Sequence, residues 1–369
     1  MQNRKSLNVG VVGCGNISEI YFKMSKIFPV LNVCACADLD MKRAEEKAKA
    51  HNLVPMTPKE LYADRNIDIV LNLTLPKSHF EVDLAALKNG KHVYGEKPLG
   101  IDLGQGKTIL ETAKKLKLRV GSAPDTFLGA GIQTCRKIID SGLIGRPVAA
   151  EAFMIGHGHE HWHPSPEFYY QRGGGPMLDM GPYYLTALVN LLGPAKLTAG
   201  VAVRSMKERV ITSKPKFGKR FKVETPTHLT GAVEFKSGAV ATLIMSFDVW
   251  KSTLPRIEVH GTEGSMIVPD PNTFGGPISL FNRKKKIWEE VPLRFIYGEN
   301  TRSLGLADMA QGILSGRKHR ASGELAYHVL ETMLSFEESY KTGKHIMLKS
   351  TCEKPAAFPL KMKKGILDR

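Results

Sequence analysis

Cysteine is scarce in this chain, with five residues in 369, an odd number that leaves at least one thiol unpaired. So few cysteines in a chain of this length exclude a disulfide-stapled scaffold. Long hydrophobic runs are also missing, since no apolar stretch approaches the roughly 20 residues that a membrane helix needs. The opening residues, MQNRKSLNVGVVGCGN, lack the apolar core of a signal peptide. We therefore expect a globular, cytoplasmic protein without a membrane partner.

Acidic residues are in short supply as well. The chain has 36 Asp and Glu against 52 Lys and Arg, which gives a formal net charge of +16. Such a balance favours anionic partners, either a nucleic acid or a phosphate-bearing small molecule. The basic residues are spread along the chain, and no nucleic-acid-binding motif accompanies them. We therefore expect a small-molecule ligand and no nucleic acid.

A glycine turn follows the first apolar run, residues 7–13, and leads into apolar residues at helical spacing. Gly13 permits a tight turn, and Gly15 lets the backbone approach a pyrophosphate. A helix that begins near Asn16 and Ile17 presents free N–H groups and its positive dipole end to phosphates. This strand–turn–helix unit predicts a dinucleotide site.

The residue that ends the second apolar run, Asp38, lies 23 residues beyond Gly15. A carboxylate in that place accepts hydrogen bonds from the adenosine ribose hydroxyls and repels a 2′-phosphate, so NAD is favoured. Lys42 and Arg43 follow closely and keep NADP open as the alternative cofactor. Asp38 is also a candidate helix N-cap, although Asp40 can fill that role.

Strand-like runs and helical spacing alternate through the first third of the chain. The predicted strands are residues 67–73, 92–96 and 119–123, and the predicted helices are residues 78–88 and 102–116. This alternation is typical of a doubly wound parallel sheet, which binds ligands at the carboxyl ends of its strands. We therefore predict an α/β, Rossmann-type NAD-binding domain over residues 1–124.

The remaining residues, 125–369, are predicted to form an α+β domain for substrate binding and oligomerisation. Residues 196–292 contain short strand-like runs separated by turn signals, which predict a large, mostly antiparallel, open-faced sheet. Helices are expected near residues 303–314 and 323–340. Because an open sheet needs its outer face covered, we expect a homodimer or a homotetramer.

Several segments together resemble the Gfo/Idh/MocA family of sugar and polyol oxidoreductases. They are VVGCGNI at 11–17 with Asp38, Leu75-Pro76 with His79, GEKPL at 95–99, GGGPMLDMG at 173–181 and IEVHGTEGS at 257–265. The resemblance runs from about residue 7 to residue 350. It implies an NAD-dependent enzyme that moves a hydride between nicotinamide and a carbinol or ketone carbon of a sugar or polyol.

The resemblance also implies a set of site residues. Lys97 and Asp179 would lie beside the nicotinamide. The family's usual histidine falls on Tyr183, and the aspartate often found three residues later falls on Thr186. The residues implied to line the dinucleotide are Thr74, Leu75, Pro76, His79, Glu96 and Lys97.

The proton in such a reaction needs a carrier within hydrogen-bond reach of the reacting oxygen. We prefer Tyr183 as proton donor or acceptor, with Lys97 stabilising alkoxide character and Asp179 orienting Lys97 or the sugar hydroxyls. A free tyrosine titrates at about 10, and the nearby Lys97 ammonium is expected to lower that pKa. In the alternative scheme, Lys97 carries the proton and Tyr183 binds the substrate.

Residues 156–172, GHGHEHWHPSPEFYYQR, form the most unusual stretch of the chain. Its histidines occur at every second position, so in an extended strand they would share one face, and a metal site is one interpretation. Because the resemblance implies metal-free chemistry, we favour a substrate loop and expect no metal. The predicted substrate-binding residues are His161, Trp162, His163, Tyr169, Asp179 and Tyr183.

Two other functions remain open. An enzyme that retains its NAD could use transient oxidation to enable elimination or glycoside cleavage, as some family relatives do. A nucleotide-sensing regulator without turnover is the third candidate, against which Lys97, Asp179 and a titratable Tyr183 argue. Nicotinamide absorbance separates the two enzymes, because only the dehydrogenase produces a net change.

Overall fold

The first sheet is built from six short strands. The computed structural model describes residues 4–368 of the chain. The strands are β1 (Leu7–Val12), β2 (Leu31–Ala37), β3 (Val54–Met56), β4 (Ile69–Asn72), β5 (His92–Gly95) and β6 (Val120–Ser122). Their spatial order is β3-β2-β1-β4-β5-β6, and every neighbouring pair is parallel. The strand order reverses between β1 and β4, which is where such a sheet opens a ligand crevice.

Helices connect these strands and confirm the predicted Rossmann-type architecture. They are α1 (Ser18–Ser25), α2 (Met41–His51), α3 (Pro58–Ala63), α4 (His79–Lys88) and α5 (Leu103–Leu116). Helix α1 begins two residues later than the sequence predicts, because Asn16 and Ile17 belong to the glycine turn. The Ser18 hydroxyl donates a hydrogen bond to the Gly15 carbonyl oxygen at 2.7 Å and closes that turn.

The second half of the chain forms a larger sheet with helices on one face. Its elements are α6 (Ala130–Asp140), β7 (Pro147–Ile155), α7 (Gly175–Leu192), β8 (Ala195–Val203), β9 (Glu208–Val210), β10 (Arg220–Lys222), β11 (His228–Phe235), β12 (Val240–Ser246), β13 (Ile257–Gly261), β14 (Gly264–Val268), β15 (Ser279–Asn282), β16 (Ile287–Glu290), α8 (Leu304–Ser315), α9 (Gly323–Thr342) and β17 (Ile346–Met347). Strands β9 and β10 pair separately as a hairpin.

The nine strands of this sheet follow the order β16-β15-β14-β13-β7-β12-β11-β8-β17. All neighbours are antiparallel except β7 and β12, which confirms the prediction of a mostly antiparallel sheet. Helices α7 and α9 pack against one face of it. Among the described residues, no helix is both long enough and apolar enough to cross a bilayer.

The late helices also contact the first sheet. Helix α9 packs against α5, and the Ser122 amide donates to the Ala321 carbonyl oxygen at 3.1 Å. Gly121 and Ser322 form an isolated antiparallel bridge beside β6. The domain boundary at residue 124 therefore stays a prediction, since residues 321–322 complete an edge of the first sheet.

Candidate active site

The glycine turn after β1 is built for close backbone approach. Gly13 has a φ of +101°, and a Cβ there would lie 2.8 Å from the Leu73 backbone, so only glycine fits. An added Cβ at Gly15 would meet no atom within 4 Å, so this side of the turn faces open space. The N-cap residue of α1, Ile17, makes no side-chain hydrogen bond to the first amides of the helix. The turn therefore fits the pyrophosphate of a dinucleotide.

Asp38 lies directly after β2 and supports this turn. Its Oδ2 accepts the Cys14 amide at 2.8 Å, and its Oδ1 accepts the Asp40 amide at 3.0 Å. Arg43 is about half exposed, and its Nη1 lies 3.8 Å from the same Oδ2. Asp38 thus shapes the glycine turn in addition to its predicted contact with ribose.

A buried asparagine organises the loop after β4. Asn72 donates from Nδ2 to Asp83 Oδ1 at 2.7 Å and to the His79 carbonyl oxygen at 3.1 Å. Its Oδ1 accepts the Thr74 amide and the Thr74 hydroxyl, at 3.1 and 2.7 Å. Burial raises the pKa of Asp83 to about 7. Asn72 and Asp83, which no sequence motif marks, fix the loop that carries Leu75.

The His79 side chain is buried and bonded to backbone, and its predicted place beside the dinucleotide stays a prediction. It is 1% exposed, with Nδ1 2.8 Å from the Pro98 carbonyl oxygen and Nε2 2.9 Å from that of Thr74. Burial lowers the pKa of its imidazole. His79 therefore holds together the two loops that follow β4 and β5.

An ion pair joins the two domains across the cleft. Lys97 follows β5, and its Nζ donates to Asp179 Oδ1 and to the Asp179 carbonyl oxygen, both at 2.8 Å. Burial disfavours the Lys97 ammonium, but Asp179, Tyr183 and Glu96 outweigh burial and raise its pKa. Burial likewise opposes the Asp179 carboxylate, but Lys97 and His159 lower its pKa below the ordinary range. Both groups are therefore charged at neutral pH.

Tyr183 lies one helical turn after Asp179 on α7, so both face the same side of the helix. The Lys97 Nζ is 5.2 Å from the centroid of the Tyr183 ring. Burial raises the pKa of the phenol, although Lys97 and Arg302 act to lower it. The expected net lowering of this pKa is therefore wrong, because desolvation outweighs the neighbouring cations. Tyr183 keeps its proton at neutral pH.

Arg302, a second cation beside Tyr183, was missed by the sequence analysis. Its Nη1 donates to Asn300 Oδ1 at 2.9 Å and its Nη2 to Asn272 Oδ1 at 3.1 Å. Burial acts against the guanidinium, but Tyr183, Tyr21 and Glu96 raise its pKa. Nothing local in the segment before α8 predicts this position, which depends on packing against α7.

The histidine run is a loop and not a strand. Strand β7 ends at Ile155, and Gly158 has a φ of +85°, which breaks an extended path. The four rings diverge: His157 stacks on Trp250, His159 contacts Asp179, His161 is exposed, and His163 Nδ1 accepts the Ser165 amide at 3.0 Å. Within residues 4–368, no group of three His, Cys, Asp or Glu side chains is placed to hold a metal ion.

The cleft itself lies between the two domains. Leu75, Pro76 and Lys97 line it from the first domain, and Tyr169 and Asp179 from the second. The four other predicted substrate residues are not part of this lining. Tyr183 lies next to it, with its ring centroid 5.2 Å from Lys97 Nζ. Trp162 and His163 reach it through ring contacts with His159 and Tyr169, each at 5.3 Å between centroids, whereas His161 is exposed and makes no such contact with the cleft.

Glu96 is half-buried next to Lys97, and its carboxylate bonds within the first domain. Its Oε1 accepts the Tyr21 hydroxyl at 2.7 Å, and its Oε2 accepts the Lys97 amide at 3.2 Å. It therefore links α1, which follows the glycine turn, to the backbone of the residue that carries the ion pair.

Two family models match this chain. The model described as "Oxidoreductase family, NAD-binding Rossmann fold" matches residues 7–123, and the model of the GFO/IDH/MocA C-terminal domain matches residues 132–267. Together the two models span both halves of the cleft.

Curated relatives and solved structures agree with these matches. The 1,5-anhydro-D-fructose reductase of Ensifer adhaerens is 29% identical over 77% of this chain and 81% of its own. The myo-inositol 2-dehydrogenase of Thermotoga maritima is 25% identical over 70% of this chain and 74% of its own. A levoglucosan dehydrogenase structure with NADH and L-sorbose superposes with a TM-score of 0.80 at 18% identity, over 94% of this chain and 100% of its own. That last likeness shows the shared fold.

Proposed function

Since the chain belongs to the GFO/IDH/MocA family of NAD-binding oxidoreductases, we propose that it transfers a hydride between nicotinamide and a carbinol or ketone carbon of a sugar or polyol. The observation that carries this proposal is the buried Lys97–Asp179 ion pair beside Tyr183, in a cleft that opens beside the loop after β4. The names of the two curated relatives support a polyhydroxylated substrate.

Bound NAD would supply the hydride acceptor, and NADH the donor. In this proposal the turn at Gly13, Gly15, Asn16 and Ile17 holds the pyrophosphate, and Asp38 accepts the ribose hydroxyls. Arg43 lies over the same end of the site. The segments Thr74–Pro76 and Glu96–Lys97 border the nicotinamide half.

Tyr183 and Lys97 divide the work on the substrate oxygen. The protonated phenol of Tyr183 donates a proton to the oxygen of a ketone, and the Lys97 ammonium stabilises negative charge that develops there. Asp179 orients Lys97 through its carboxylate. Burial raises the pKa of Tyr183 and so keeps the phenol protonated, which the donor role in ketone reduction requires. In the alternative scheme Lys97 carries the proton and Tyr183 binds substrate.

Residues 161–169, in the loop at residues 156–172, supply the substrate side of the proposed site. The flat ring of Tyr169 lines the cleft, and Trp162, which packs against His159, is more than half exposed. Aromatic faces suit the C–H groups of a sugar, and imidazoles suit its hydroxyls. We assign Tyr169, Trp162 and His163 to substrate, and His161 to the outer rim.

A substrate panel tests the reaction type. Purified protein with NAD and a series of pentoses, hexoses and inositols is expected to give a net rise in reduced nicotinamide absorbance with at least one of them. Product formation without a net absorbance change would instead favour the NAD-retaining elimination or glycoside cleavage. Nucleotide binding without turnover of any kind would favour the regulator.

Replacing Asp38 tests the preference for NAD. We expect Asp38→Ala to weaken NAD binding by about 10–100-fold, the range for lost hydrogen bonds to a charged group, and to weaken NADP less, because repulsion of the 2′-phosphate is relieved. Asp38→Asn is the matched control, because its amide oxygen can still accept the Cys14 amide and support the turn. Calorimetric titration of both nucleotides measures the change. A wild-type preference for NADP of about tenfold or more contradicts this role.

The uncovered face of the large sheet supports the proposal of a homo-oligomer. Helices α7 and α9 cover one face, whereas Val201 on β8 and Val240 on β12 are nearly half exposed on the other. Light scattering coupled to size exclusion is expected to give the mass of a dimer or tetramer, and Val240→Lys is expected to reduce it. A monomeric wild-type protein at micromolar concentration would refute this arrangement.

A further inference from the structure

We propose that His159 is a positioning residue for the reaction. Its Nε2–H holds the Asp179 carboxylate in the orientation that accepts the hydrogen bond from Lys97 Nζ. This inference rests on the proposed function of the same site. His159 is not among the substrate residues predicted from the sequence, and the other histidines of the run make no hydrogen bond to Asp179.

The two oxygens of Asp179 are divided between two donors. Oδ1 accepts Lys97 Nζ at 2.8 Å, and Oδ2 lies 3.1 Å from His159 Nε2. The carboxylate is only 12% exposed, so water cannot readily replace a lost donor. Lys97 Nζ also donates to the Asp179 carbonyl oxygen. If the carboxylate rotated about its side-chain bonds, Lys97 would keep that bond and lose the one to Oδ1. The His159 contact opposes that rotation.

Three aromatic side chains fix the position of the His159 ring. It packs against Tyr169 at 3.9 Å and Phe247 at 4.7 Å between ring centroids, and Trp162 lies at 5.3 Å. These rings surround the imidazole with apolar surface and fix its plane. These contacts hold the imidazole between Tyr169 of the same loop and Phe247, which follows β12.

A buried polar network around Glu160 fixes the backbone next to His159. Glu160 Oε1 accepts Arg209 Nη1 at 2.6 Å, and Glu160 Oε2 accepts the Tyr170 hydroxyl at 2.6 Å. Arg209 also binds Asp248, and its side chain is 3% exposed. Charges so deeply buried are held by their partners, so the loop has little freedom to withdraw His159 from Asp179.

The tautomer of His159 follows from its surroundings. Its Nδ1 is buried and has no hydrogen-bond partner among the described residues. A neutral imidazole carries one N–H, and the carboxylate at Nε2 requires a donor there. Nδ1 is therefore the bare acceptor, since a buried N–H without an acceptor is the more unfavourable arrangement. His159 thus presents a fixed donor to Asp179.

Three variants test the proposal by kinetics. His159→Leu removes the donor and is expected to lower kcat by about 10–100-fold, the range for a hydrogen bond to a charged group, with a smaller change in KM. His159→Gln places an amide N–H near the position of Nε2 and is expected to restore most of kcat. His157→Leu is the matched control, because this ring stacks on Trp250 away from Asp179, and its kcat should equal that of wild type. Equal losses in the Leu and Gln variants, or no loss in the Leu variant, overturn the proposal.

A second measurement does not depend on turnover. Nitrogen-15 NMR of histidine-labelled wild-type protein, with the His159 signal identified by its absence in His159→Gln, is expected to show the Nε2–H tautomer. An Nδ1–H tautomer overturns the proposal even if no substrate is found. Failure of the substrate panel with the expected tautomer present would instead count against the proposed function alone.

Discussion

Replacing Tyr183 with phenylalanine is expected to lower kcat by about 10²–10⁴-fold, the usual contribution of a positioned general acid or base. The substitution keeps the buried ring and its packing under Lys97 and removes only the hydroxyl. NAD affinity and the melting temperature should change little, because the glycine turn at Gly13 lies on another element. Steady-state kinetics in both directions, with nucleotide titration, measure these effects.

Tyr184→Phe is the matched control for this experiment. Tyr184 is the next residue of α7 and is also buried. Its hydroxyl lies near Asp270 and Arg256 and not near Lys97. Its loss should leave kcat unchanged. A joint fall of kcat and kcat/KM in Tyr183→Phe marks an interaction made in the transition state, whereas a raised KM alone marks substrate binding. If Tyr183→Phe keeps more than about a third of wild-type kcat with chemistry rate-limiting, the proton role passes to Lys97.

Lys97→Met is expected to be at least as damaging, with kcat reduced by about 10²–10³-fold or more through loss of charge stabilisation alone. It also leaves the buried Asp179 carboxylate without its cation, so the melting temperature should fall. The double variant Lys97→Met/Asp179→Asn removes both charges and is expected to recover stability without recovering activity. Thermal unfolding and kinetics on the two variants separate the structural effect from the catalytic one.

Combining Lys97→Met with Tyr183→Phe tests whether the two residues act as one unit. If both serve the same oxygen, the double variant should lose little more kcat than the worse single variant. Losses that multiply would indicate independent roles and would contradict the proposed division of work.

Much of the first domain could be predicted because each strand–turn–helix unit carries its own local signal. An apolar run that ends in Gly13 and an acidic residue after the next run need no distant contact to be recognised. Lys97 could be placed at a strand end for the same reason. Asp179 and Tyr183, four residues apart, lie on one face of any helix that contains them.

His159 and Arg302 could not be selected in this way. Their positions depend on the packing of a loop after β7 and a loop before α8 against α7, and these contacts join segments far apart in the chain. The alternating histidines would share one face only in an extended strand, and the positive φ at Gly158 breaks such a strand. The direction of the Tyr183 pKa shift could not be predicted from the sequence either, because it depends on how much water burial removes from the phenol.

The cover of β6 by residues 321–322 has a consequence for how the chain is made. A ribosome completes all six strands of the first sheet long before it releases the residues that protect the outer edge of that sheet. Until then the edge is open to pairing with another nascent chain. Products that stop short of residue 321 are therefore expected to aggregate.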